Sequence, residues 1–488
     1  MRKTAIIAEI DYLIIYLQVY YFRIYNYRNL PISGEKQQIF AISIYKIIFP
    51  FFFSYPYRNE KEGIALLETL FEKLNSFIWG PGLLALVLGT GVWFTVRSGF
   101  YPLRKFAAIR KTTLGSLKDK KGGFAAMMTA LGATVGTGNI VGVAFAIAVG
   151  GAGSIFWMWV GAFFGMMLKF SEAALAVRFK GGAPVYIQKA LSGKRAALFW
   201  SLCCVLSSFG VGNTVQIAAA STAAETAFDL PPFLVGTLAA LLVAMVCIGG
   251  TKTVTKVSSV LVPLMALFYL LGGLFLLWQF REAVPASFAL IFRDAFSESA
   301  AAGGFSGFLT SKALRVGITR GTFTHEAGMG SAALAHAESE EKDPATQGNW
   351  GILEVFADSF VCTVTALVLL SSGVSLENEE STFSAFAAGF GAFGEKFLSV
   401  GLFLFALAAM IGWEFYGERA LSALTGRKTA LVGYRLFFCL LTVAGSFLPM
   451  ALLWDLSDIF NGLMLLPNLM ALLLLRKEIF GFIKRKSP

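Results

Sequence analysis

The stretch LGATVGTGNIVG, residues 131–142, lies inside the apolar run Phe124–Val149, which is long enough to cross a bilayer. Four glycines, two threonines and an asparagine suit a lipid-facing helix poorly, since each glycine costs roughly 1 kcal/mol against alanine in a helix interior. A phosphate loop is excluded: Gly136, Gly138 and Gly142 set the last glycine one residue too far for a dinucleotide fingerprint, and no strand precedes them. Two readings stay open on this stretch alone. Gly138-xxx-Gly142 fits a small-residue seam for helix packing. Alternatively, Gly136 and Gly138 break the helix at mid-membrane, freeing N–H groups for an anionic substrate and carbonyls for a cation, with Thr134, Thr137 and Asn139 as added polar ligands. Unwound backbone at that depth is tolerated only under protein or against a wet cavity.

The rest of the 488 residues sets the class. Hydrophobic residues make up 56% of the chain and charged residues 15%, the balance of an all-α polytopic membrane protein. Eleven segments have the length that an approximately 30 Å hydrocarbon core requires. They lie near 81–97, 124–149, 154–178, 197–224, 232–250, 257–279, 303–336 (interrupted), 351–373, 396–421, 431–452 and 455–475. The net charge of +11 does not indicate nucleic acid, because the basic residues gather in alternate short loops. Arg104 to Lys121, Arg178 to Arg195, Lys252 with Lys256, Arg427 with Lys428, and the tail Lys484–Lys486 mark the cytoplasmic side. The first span then starts outside and the C-terminus ends inside. The acidic loop ESEEKDP (338–344) falls on the cytoplasmic side, which is acceptable because acidic residues contribute little to orientation. Cys203, Cys204, Cys247, Cys362 and Cys439 all sit in apolar runs and read as packing residues.

Residues 1–65 differ from the remainder. Nine of the fourteen tyrosines fall before residue 60, and DYLIIYLQVYYFRIYNYRN has neither a helical period nor a cleavage site. The composition predicts an atypical extension, with the working chain beginning near Leu66, a transmembrane core over 66–475 and a basic cytoplasmic tail over 476–488.

A second segment, RGTFTHEAGMGSAALAHAE (320–338), puts Glu326, both histidines and three glycines into a span five spans after the first break. Glycine-interrupted spans at matching places in two halves are the trace of an inverted repeat with its site at the interface. A zinc reading of His325-Glu326 fails because the second histidine of HExxH would be residue 329, which is Met.

These segments, with WGPGLL (79–84), GGAGSIFWMWVGAFFGMMLKFSEA (150–173), FGVGNTVQ (209–216), GWEFYGER (412–419) and NGLMLLPNL (461–469), resemble the sodium:alanine (alanine or glycine:cation) symporters over about residues 66–475. The resemblance implies a leucine-transporter-like five-plus-five inverted repeat preceded by one extra helix, and import of small neutral amino acids with sodium. It implies no cofactor beyond the coupling ion and no enzymatic activity. The substrate cradle would be Gly136, Thr137, Gly138 and Asn139, reached by Gln216 and closed by Trp413. The carbonyls of Gly132 and Val135, with Thr134, would serve sodium.

Departures from the family pattern are specific. FALAAMIGW (405–413) places Ala408 and Ala409 where the family usually carries a Ser-Thr pair facing sodium, and a hard cation wants oxygen ligands. Glu414 stands where the family tends to have a small polar residue, and His325 where it has asparagine. An intramembrane carboxylate is a functional-site hypothesis by default, so Glu414, Glu326 and His325 are candidates for proton coupling or gating. Glu326 is expected to partner backbone or Arg320, Glu172 to pair with Lys169, and Glu354 and Asp358 to line the cavity. Two alternatives to a sodium symporter follow: a proton-coupled or cation-altered transporter, and an amino-acid sensor that has lost transport. A membrane enzyme would need convergent catalytic residues near one face, which two histidines in one span do not supply.

Overall fold

A computed structural model describes residues 69–71, 73–116, 122–296, 312–377, 381–448 and 450–485. The expectation for residues 1–65 lies outside the described residues. The described part is helical throughout, with no strand. The helices are α1 (Pro81–Arg97), α2 (Tyr101–Arg104), α3 (Phe106–Ser116), α4 (Gly123–Thr134), α5 (Val141–Gly150), α6 (Gly153–Phe179), α7 (Ala183–Ala190), α8 (Lys194–Phe209), α9 (Val215–Phe228) and α10 (Pro232–Ile248). They continue with α11 (Gly250–Gln279), α12 (Val284–Ala295), α13 (Lys312–His325), α14 (Ala333–His336), α15 (Pro344–Ser371), α16 (Ser381–Phe390), α17 (Ala392–Leu424), α18 (Lys428–Gly445), α19 (Met450–Leu474) and α20 (Arg476–Arg485).

Among the described residues eight helices are long and apolar enough to cross a membrane, and α4, α5 and α10 are shorter apolar helices. The expected span 124–149 is therefore two half-helices, and residues 303–311 of the expected span 303–336 lie outside the described residues. Most of the bundle faces apolar surroundings: Leu241, Met245, Ile248, Leu264, Leu271 and Leu440 are all more than half or nearly half exposed, a surface that only lipid satisfies.

The interior is built by α6 and α17. α6 packs along α13 and α15, and α17 packs along α8 and α9. Close approach depends on small residues: a Cβ added at Gly412 of α17 would lie 2.7 Å from the Ala133 Cβ of α4. α8 and α9 form one continuous rod through a single π turn at Gly210–Thr214, the kind of local distortion that often marks functional positions.

Candidate functional site

The first break is where the sequence puts it. α4 stops at Thr134, Gly136 is extended (φ −119°, ψ −161°), Thr137–Asn139 make a single tight turn, and α5 restarts at Val141. The side chains of the motif hold it open. Asn139 Oδ1 accepts the Gly136 N–H at 3.1 Å, while its Nδ2 donates to Asp358 Oδ1 of α15 at 2.6 Å and approaches Cys362 Sγ at 3.2 Å. Thr137 donates twice to Gln216 Oε1, from N–H at 2.9 Å and from its hydroxyl at 3.0 Å. Gln216 itself is fixed by a bond from Nε2 to the Val211 carbonyl inside the π turn, at 2.9 Å. Thr137, Asn139 and Asp358 are fully buried and Gln216 nearly so.

Of the expected cradle, Gly136, Thr137, Asn139 and Gln216 come together in one cluster. Gly138 borders it with space around it, since an added Cβ would meet only Thr324 Cγ2 at 3.8 Å. Trp413 is buried on α17 against the π turn, so that a Cβ at Gly212 would fall on its side chain, and it packs edge-on to Tyr416 at 5.5 Å. Thr134 turns its hydroxyl back to the Leu131 carbonyl at 3.2 Å. Ala408 and Ala409 do face this break: the Ala408 carbonyl lies 3.7 Å from a Cβ built on Gly132, and the Ala409 Cβ 3.1 Å from one built on Gly136. At the break, Ala409 presents a methyl and Ala408 its backbone carbonyl, and neither supplies a side-chain hydroxyl.

Glu414 points elsewhere. Five and six residues beyond Ala409 and Ala408, it lies roughly 120–140° around the helix. Its carboxylate is 3.9 Å from Arg435 Nε, and Tyr434 of α18 donates to its backbone carbonyl at 3.3 Å.

The second break separates α13 from α14. Glu326 (φ +51°), Gly328 (+94°) and Gly330 (+81°) all take left-handed backbone, which two glycines allow and the glutamate bears at a cost of roughly 1–2 kcal/mol. Neighbours satisfy its freed backbone. Glu172 Oε1 accepts the Gly330 N–H at 3.0 Å, Asn468 Nδ2 donates to the Gly328 carbonyl at 2.7 Å, and Trp200 Nε1 donates to the Met329 carbonyl at 2.8 Å. His325 Nδ1 accepts the Ala327 N–H at 3.1 Å, a helix-ending bond. A small cleft beside this point is lined by Met158, Trp159, Thr324, His325, Ser359 and Cys362.

Two expected pairings are corrected. Glu326 binds the Ser331 hydroxyl, whereas Arg320 is paired with Asp458 at 3.3 Å and stacked over Phe145 at 4.5 Å. Lys169 pairs across to Glu354 at 3.1 Å, leaving Glu172, its neighbour on α6, to cap the second break. Lys169 and Glu172 stand three residues apart on one helix, the spacing of a local pair, but the contact between α6 and α15 overrode it. Asp358 was legible as a carboxylate in an apolar span, but its bond to Asn139 was not, because nothing in spacing links residues so far apart in the chain.

Two discontinuous helices facing each other inside a membrane bundle, each with its freed backbone groups met by side chains, define a secondary transporter of the leucine-transporter class. The crystal structure of MhsT in complex with L-phenylalanine shares this fold, with a TM-score of 0.53 over 75% of this chain and 97% of that one at 15% identity. The chain belongs to the sodium:alanine symporter family, which matches residues 64–486. It is 37% identical to the sodium/alanine symporter AgcS of Methanococcus maripaludis, over 83% of this chain and 94% of that protein. It is 35% identical to the amino-acid carrier protein AlsT of Bacillus subtilis, over 86% and 92%. The protein is a multi-pass membrane transporter for amino acids and not an enzyme.

Proposed function

We propose that this chain imports alanine, glycine or a close relative across the cytoplasmic membrane, driven by sodium, with the first break as the binding site. The observation that carries the reading is the pair of donors on Thr137. Its N–H and hydroxyl converge on one oxygen, that of Gln216, in a buried setting at the N-terminal side of α5. The same donors suit a carboxylate oxygen, and the dipole of the half-helix favours negative charge there. In this reading Gln216 yields its place to the substrate carboxylate and then contacts the bound amino acid. On the same reading, Gly136, Ala409 and Trp413 limit the bound side chain to a small one. Gly132 and Val135 contribute carbonyls to sodium, with Thr134 beside them. The basic loops set the orientation, with the core's N-terminus outside and its C-terminus cytoplasmic.

The named activities of AgcS and AlsT support the substrate class. Ala408 and Ala409 favour one second reading, a transporter of the same fold with altered or proton coupling, because alanine side chains bring no hydroxyl oxygen to a hard cation. Uptake of labelled alanine and glycine into proteoliposomes with imposed sodium or proton gradients tests both. Accumulation that requires an inward sodium gradient supports the first reading. Accumulation with choline in place of sodium and a proton gradient supports the second, and saturable binding without accumulation would leave a sensor.

A further inference from the structure

Charged side chains gather where α6, α14, α15 and α19 meet at the second break. Lys169 is fully buried, and its pairing with Glu354 Oε1 leaves Glu354 Oε2 at 2.9 Å from His336 Nε2. His336 Nδ1 faces the Gln347 amide nitrogen at 2.7 Å, and the Gln347 carbonyl oxygen accepts from Ser339 at 3.0 Å. His336 thus bridges Gln347 and Glu354 through its two ring nitrogens. Lys169 and Glu354 form a buried ion pair beside it.

Two further carboxylates form no such ion pair among the described residues. Glu172 accepts from Gly330 and Asn468 through Oε1, at 3.0 and 2.7 Å, and its Oε2 is buried with no partner. Glu326 accepts from Ser331. Lys169 is the cation that faces both. Other titratable groups facing them are Glu354 on α15 and Tyr416 of α17 for both, Tyr186 of α7 for Glu172, and Asp358 for Glu326, with His325, next to Glu326, also within reach of Lys169. Cys204 of α8 also faces Glu326, and no carboxyl, phenol or thiol brings positive charge. Among the described residues, Glu172, Glu326, Glu354 and Asp358 thus share one ammonium group at membrane depth, where an unneutralised charge is expensive. A hard cation would need several free oxygens at once, and Glu172 Oε2 is only one. The carbonyls of Gly328 and Met329 are already taken by Asn468 and Trp200, and Leu168, Leu465 and Leu469 close over Gly328.

We infer that the second break is a proton-binding site, in which Glu172 and Glu326 hold the protons that Lys169 cannot balance, and that transport slows when those protons are lost. The inference rests on the transport reading above only for its uptake arm. Protons are bound at low pH and leave as pH rises; mutual repulsion of Glu172, Glu326 and Glu354 then loosens segment 326–330. Uptake of labelled alanine at fixed sodium should fall about fivefold or more from about pH 6 to about pH 9 in the wild type. Glu172→Gln, which fixes the neutral form, should flatten that fall to within about twofold, and Glu326→Gln should do the same in part. Glu414→Gln should keep the wild-type profile, since Glu414 faces Arg435 instead. Infrared spectra of the wild-type protein in lipid should show a carboxylic-acid carbonyl band that titrates away at alkaline pH and is reduced in Glu172→Gln. An unchanged alkaline fall in both variants, a fall abolished by Glu414→Gln alone, or no titrating band would overturn the inference. Should the wild type take up no alanine at any pH, the transport reading fails while the infrared titration still decides the proton site. The wild-type band and Glu326→Gln serve if Glu172→Gln does not fold.

Discussion

Gly136 and Gly138 look alike in sequence and differ in what surrounds them. A Cβ at Gly136 would sit 2.8 Å from Gln216 Oε1 and 3.1 Å from the Ala409 Cβ, whereas at Gly138 the nearest atom is 3.8 Å away. Overpacking of this kind costs about 1–3 kcal/mol, and here the atom displaced is the one that holds Thr137. Gly136→Ala should therefore lower alanine uptake about 10- to 100-fold, with Gly138→Ala within about threefold of wild type. Equal losses in the two variants would mean that conformational freedom, and not the Gln216 contact, limits the site. The cation face offers the opposite experiment. Ala408→Ser and Ala409→Thr return the two family hydroxyls, the second of them beside Gly136. If sodium binds there, the sodium concentration for half-maximal uptake should drop about tenfold, worth about 1.4 kcal/mol. No change in either variant would place the coupling ion elsewhere.

At the scale of elements, the two breaks are held by different means. The first is clamped by its own motif through Asn139, and its glycines left a packing seam and a break as the two readings of the sequence. The second depends on distant donors, which no local pattern reveals: Trp200 comes from α8 and Asn468 from α19. Trp200→Phe keeps the ring but strands the buried Met329 carbonyl, at a cost of about 1–3 kcal/mol. Thermal unfolding of purified protein should shift down by about 2–8 °C, and Asn468→Leu, which cuts bonds to both Glu172 and Gly328, should shift it further. A shift in neither would show that water fills the gap. Elements lost in the sequence were those without a long apolar run. α20 reads as a basic tail, yet Ile479, Phe482 and Ile483 are buried, and Phe480 packs on Trp93 and Phe94 at 5.5 Å each. Charged residues at both ends of a ten-residue helix mask one apolar face. α12 is likewise short, and its Asp294 caps the start of α6 by accepting the Gly153 N–H at 2.7 Å.

Across the whole molecule, alternating access requires that contacts at one end of the bundle be breakable. Arg419, near the end of α17, joins three moving parts. It donates to Thr251 at the start of α11 at 2.5 Å and pairs at 2.8 Å with Glu338, just beyond the second break. Both partners of the ion pair are about a third exposed, so its contribution to overall stability is small, about 0–1 kcal/mol. The same energy acts differently on an equilibrium between closed and open forms, where about 1 kcal/mol changes the open population about fivefold. Arg419→Gln should therefore leave the melting temperature nearly unchanged while opening the site more often. Cys362 reports on this, because it is buried beside Asn139 at the first break. With Cys203, Cys204, Cys247 and Cys439 replaced by serine, the reaction of Cys362 with a small maleimide should run about three- to fivefold faster in Arg419→Gln, and alanine should slow it in both backgrounds. An unchanged rate would show that this link does not hold the site shut. A faster rate with a lowered melting temperature would instead mean that Arg419 supports the fold as a whole.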